Sequence, residues 1–119
     1  MNTQKILILE EETVVAEDIR ECLQNAGYEV ERASSLSDAL KKSAEFKPHL
    51  VLIGVVSKDG LNEAETAVRI TSANSNRLKF IFMVSKPIYL ESEIEDYRLL
   101  QKPFGSRELL QLVREQFQS

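Results

Sequence analysis

Glu10, Glu11 and Glu12 follow directly on an aliphatic run, KILIL, and further candidates for chemistry are Lys102 before Pro103, Ser85, Asp59, the one histidine (His49) and the one cysteine (Cys22). Carboxylates grouped at a strand end can hold a divalent cation, and a lysine brought to them neutralises their charge. Two carboxylates alone are a thin donor set for an ion that demands near-octahedral oxygens. At most weak Mg2+ binding by Glu10 and Glu11 is therefore expected, and no cofactor. The plainer alternative is that the glutamates solvate a strand end and favour the next helix N-terminus through its dipole. A lone histidine has no ligand set around it, and a lone cysteine can close no internal disulfide. His49 is read as structural or solvated, Cys22 as a small core residue, and Asp59, followed by Gly60, as a turn former.

The elements that must position these residues alternate in period. Lys5 to Leu9 reads as a strand buried on both faces. Val15, Ile19, Leu23 and Ala26 then recur at helical spacing, with Gly27 where a C-terminal cap falls. Tyr28 to Arg32 is a short second strand, and Ser35 with Asp38 forms a capping box for a helix through Phe46. Leu50 to Val56 is the third strand, followed by a loop from Ser57 to Asn62 and a helix from about Glu63 to Ser72. Lys79 to Val84 is the fourth strand and Arg98 to Gln101 the fifth. Ser106 is placed to cap a last helix whose Leu109, Leu110, Val113 and Phe117 share a face. Strand–helix alternation calls for a doubly wound parallel sheet, helices on both faces, in the flavodoxin-like order 2-1-3-4-5. In that order a crevice opens at the carboxyl ends of strands one and three, where the winding reverses. Glu10, Glu11, Gly54 and Lys102 converge there.

The chain of 119 residues suits a single domain, 1–119, and 43% apolar residues give a normal core. A net charge of −4, mixed along the sequence, offers no basic face for a phosphate backbone, so no direct nucleic-acid partner is expected. No apolar run is long enough to span a membrane, and the acidic start lacks a secretory signal, so the expected location is cytoplasmic.

At these residues the sequence resembles the receiver domains of two-component response regulators. KILILEEETVVAEDI resembles that family's first strand, acidic pair and first helix. KPHLVLIGVV resembles the strand that normally carries the phosphoacceptor aspartate. GLNEAETAVRI resembles the segment after the phosphorylation loop, with Glu63 where glycine is more usual, and LLQKPFGSREL the closing strand, lysine and last helix. The resemblance implies a CheY-like fold and a site for aspartyl phosphorylation, but the chemical positions depart from it. Gly54 matches the acceptor and has no side-chain oxygen. Val84 matches the hydroxyl residue that contacts phosphoryl oxygens, and Ser85, one place later, points to the other face. Leu99 matches the aromatic switch position, and Tyr97 is expected to face oppositely. Glu11 stands where aspartate is usual. Lys102 is retained, and with no aspartate at 54 its ammonium is expected to turn to Glu10 or Glu11 in a structural ion pair.

SKPIYLESEIEDYRLL, between Val84 and Lys102, is shorter than the family pattern, so the helix there is expected to be short or displaced. Ile88, Tyr89, Leu90 and Tyr97 are candidates for an interaction surface; the alternative is that the apolar residues pack inward. The resulting reading is a pseudo-receiver, not an enzyme, acting by protein–protein interaction with a histidine kinase, an output domain or another receiver, a homodimer included. A different class is a receiver phosphorylated at a displaced carboxylate, Asp59, in a phosphorelay. A flavodoxin-like small-ligand binder is weaker, since no glycine-rich loop follows strand one.

Overall fold

The computed structural model describes residues 3–74, 78–88 and 96–118. Among these residues nine elements follow in order: β1 (Lys5–Leu9), α1 (Thr13–Asn25), β2 (Glu29–Ala33), α2 (Leu36–Phe46), β3 (Leu50–Gly54), α3 (Leu61–Ala73), β4 (Lys79–Val84), β5 (Tyr97–Gln101) and α4 (Ser106–Gln118). The strands form one sheet in the order β2-β1-β3-β4-β5, every neighbouring pair parallel, as the alternation of periods requires.

Period two along the strands sorts the core into two layers. Leu7, Leu9, Val51, Ile53, Phe80, Phe82 and Val84 face α2 and α3, meeting Ala39, Phe46, Ala64, Ala67 and Ile70. Ile6, Ile8, Leu50, Leu52, Ile81 and Met83 face α1 and α4, meeting Ile19, Leu23, Leu109, Leu112 and Val113. Ile6, Leu7 and Ile8 are wholly buried. Removing each such side chain from water contributes about 1.5–3 kcal/mol before chain entropy is subtracted.

The N-terminus of α2 is capped as its sequence indicates. Ser35 Oγ accepts from Asp38 N at 3.1 Å, while the Asp38 carboxylate accepts from Ser34 N at 2.9 Å and Ser34 Oγ at 3.2 Å. The reciprocal bond is thus displaced by one residue from a strict capping box. The Ser34 N–H, with Lys42 assisting, holds the Asp38 carboxyl below its ordinary range. A lowered carboxyl stabilises the fold above the unfolded-state pKa and loses that contribution as pH falls through the folded one. Ser35→Ala is expected to cost about 1 kcal/mol, read as a lower midpoint in urea unfolding; an unchanged midpoint would show that water replaces the cap.

Four sequence expectations are corrected. β3 ends at Gly54 rather than Val56, although Val55 N still bonds to Met83 O at 2.8 Å. α3 starts at Leu61, two residues early, because Gly60 takes a positive φ of 76° at the N-cap and Asp59 Oδ1 accepts from Leu61 N at 3.1 Å. Ser106 lies in the first turn of α4 instead of capping it, since Gly105 O already accepts from Leu109 N. Tyr97 and Leu99 share a face: they pair with Phe80 and Phe82, which both belong to the α2/α3 layer. Residues two apart on a strand point the same way, so the expected opposition of Tyr97 and Leu99 does not hold. Ile88 is half-buried against that layer, whereas Tyr89, Leu90 and most of the expected short helix lie outside the described residues.

A candidate functional site closed by its own ion pair

The carboxyl ends of β1, β3 and β5 bring Glu10, Gly54 and Lys102 together. Glu10 is only 2% exposed, and its Oε1 lies 2.5 Å from Lys102 Nζ. Its Oε2 accepts from Glu12 N at 3.1 Å, at the start of α1. The expected pairing of Lys102 with this acid pair is realised, on Glu10, with one partner buried: the Lys102 side chain is 21% exposed and that of Glu10 1%. Lys102 N also donates to Val84 O at 2.7 Å, which ties the loop after β5 to the end of β4; the Lys102–Pro103 peptide is cis.

Gly54 has a steric reason to lack a side chain. A Cβ built there would lie 2.8 Å from Glu10 Oε1, 3.0 Å from Cδ and 3.1 Å from Oε2. The glutamate carboxylate thus occupies the space into which a residue-54 side chain would project. Arg32 holds the acidic loop from below, donating through Nη2 to Glu10 O at 2.7 Å and Glu11 O at 3.4 Å. Sequence reasoning missed Arg32, whose only signal was a cation at the end of β2, beside the acidic turn.

Glu11 is exposed and lines a cleft of about 520 Å3 with Leu9, Ser34–Ser37, Gly54, Val56, Asn62 and Glu63. Val84 is buried in the α2/α3 layer at 2% exposure, and Ser85 is exposed on the following turn. Leu99 is 38% exposed, while Tyr97 beside it packs edge-on against Phe82 with centroids 5.8 Å apart. Asp59, exposed and engaged in the turn before α3, does not line the cleft. These residues do not fit the divalent cation that the receiver resemblance implies. Glu10 is already neutralised by an ammonium, Glu11 is exposed, and position 54 supplies no side-chain oxygen.

Two residues outside the crevice behave structurally. His49 Nδ1 accepts from Lys5 N at 2.9 Å and His49 N donates to Lys5 O at 2.9 Å, extending the β1–β3 ladder. Cys22 packs against the α1/α4 layer, and burial pushes its thiol pKa up, away from the reactive thiolate.

The sheet order and the crevice at its reversal point are those of CheY-like response-regulator receiver domains, and solved structures of that class superimpose on nearly the whole chain. The N-terminal domain of a response regulator/sensory box/GGDEF three-domain protein from Carboxydothermus hydrogenoformans matches with a TM-score of 0.81 and 26% identity, covering 97% of this chain and 94% of that one. A CheY-like receiver domain protein from Methanospirillum hungatei matches at 0.77 and 22%, covering 96% and 93%. A receiver protein from Sinorhizobium medicae matches at 0.82 and 17%, covering 99% and 97%. No family model matches the chain. Among the described residues, no helix is long and apolar enough to cross a membrane.

Proposed function

We propose that the domain is a pseudo-receiver, a response-regulator receiver fold that signals through protein–protein contact without phosphorylation and without enzymatic activity. The observation that supports this reading best is the Glu10 carboxylate, packed over Gly54 and paired with Lys102. A receiver needs an acceptor carboxylate at this point, with the lysine turned toward it. Here the carboxylate is missing and the lysine is turned to Glu10 instead. Mg2+ binding is accordingly weak, and the partner, a histidine kinase, an output domain or a receiver, docks on the face carrying β5, with Leu99 and Tyr97, and α4.

Intact-mass spectrometry after incubation with Mg2+ and acetyl phosphate tests the reading, with donor activity verified on a receiver that has an acceptor aspartate. The native chain is expected to keep its mass. Gain of a base-labile phosphate by the native chain would sink the proposal and favour the displaced-carboxylate alternative, which Asp59→Asn would then abolish.

A further inference from the structure

Glu63 takes no part in the ion pair of Glu10 and Lys102, yet it is only 3% exposed. A carboxylate so buried needs a cation or several donors. Among the described residues no cation pairs with it. Its donors come from the loop after β3: Val56 N at 3.3 Å and Ser57 N at 3.4 Å to Oε2, with the Ser57 hydroxyl donating to Oε1. The first turn of α3, where Glu63 sits, adds a favourable dipole. Consecutive backbone N–H groups with a hydroxyl beside them also suit a tetrahedral oxyanion. Val56 and Glu63 line the same cleft as Gly54, with Ser57 next in the chain.

We infer that Glu63 is an intramolecular ligand that keeps a phosphoryl-type oxyanion out of this loop. It does so twice over, by taking the N–H groups and by presenting a negative charge to any second anion. The inference concerns residues 56, 57 and 63 rather than position 54, and it stands or falls separately from the proposed signalling role.

The test is a titration of the 15N-labelled chain with inorganic phosphate at constant ionic strength, following the Val56 and Ser57 amides. In Glu63→Ala these two resonances are expected to shift saturably, with an apparent affinity at least about fivefold above that of the native chain, the low end of typical coupling between two ligands. Glu63→Gln keeps the length and an acceptor oxygen but loses the charge, and serves as the second variant should the alanine form fail to fold; an intermediate gain is expected. Equal affinity in native and variant chains, or no saturable shift in a folded variant, would overturn the inference. Because no phosphodonor is present, this readout is independent of covalent phosphorylation.

Discussion

Lys102→Met is expected to lower the stability of the domain by about 3–5 kcal/mol, the usual cost of leaving one partner of a buried pair without its counter-charge. The reason is asymmetry: the Glu10 side chain is 1% exposed and cannot turn to water, whereas Lys102 is 21% exposed. Glu10→Gln should therefore cost less than Lys102→Met, since the stranded ammonium can reach solvent and the glutamine oxygen can still accept from Glu12 N. Combining the two substitutions should recover much of the loss, because no buried charge remains. Urea unfolding checks all three, with a shifted midpoint at unchanged slope as the signature. A loss below about 1 kcal/mol for Lys102→Met would mean that the pair behaves as a surface one.

Gly54→Asp is expected to destabilise by about 1–3 kcal/mol through overpacking, with like-charge repulsion added. Its Cβ would fall 2.8 Å from an oxygen of a side chain already fixed by Lys102 and Glu12 N. Gly54→Ala isolates the steric part. Ordinarily a glycine-to-alanine change within a strand gains about 0.5–1 kcal/mol, so a loss here has a diagnostic sign. Adding Glu10→Ala to Gly54→Asp should restore stability, since the space is cleared and Lys102 acquires the new carboxylate as partner. Additive effects of the two substitutions would show that the side chains never meet.

Most of this arrangement was legible in the sequence because it rests on local signals. KILIL, LVLIG and KFIFMV carry enough aliphatic density to mark buried parallel strands, and alternation with helical periods orders the sheet. Gly54 and Lys102 stood out by residue type, and the electrostatic need of an isolated lysine led to Glu10 or Glu11. The burial of that pair was not legible, since only packing shows that Glu10 lies across Gly54. Glu63 stood out as an unusual residue for its segment, but its burial depends on how the turn at Asp59 and Gly60 brings α3 against the loop. Arg32 was hidden for a similar reason: its bonds go to carbonyls, which leave no mark in the sequence. The mistaken orientation of Tyr97 relative to Leu99 was an error of period rather than a missing signal.

If the domain signals as proposed, the tie between Glu10 and Lys102 also bears on what it can transmit. A ligand shifts a conformational equilibrium only as far as it binds the two states unequally. On the reading proposed above, a crevice occupied by its own ion pair gives an added phosphodonor no state to prefer. The coupling free energy between crevice and β5 surface is then close to zero. On the same reading, occupancy of that surface would follow from the concentrations of domain and partner, with output set by synthesis, degradation and competition: the proposed pseudo-receiver would work as an adaptor of fixed affinity whose signal is its own abundance.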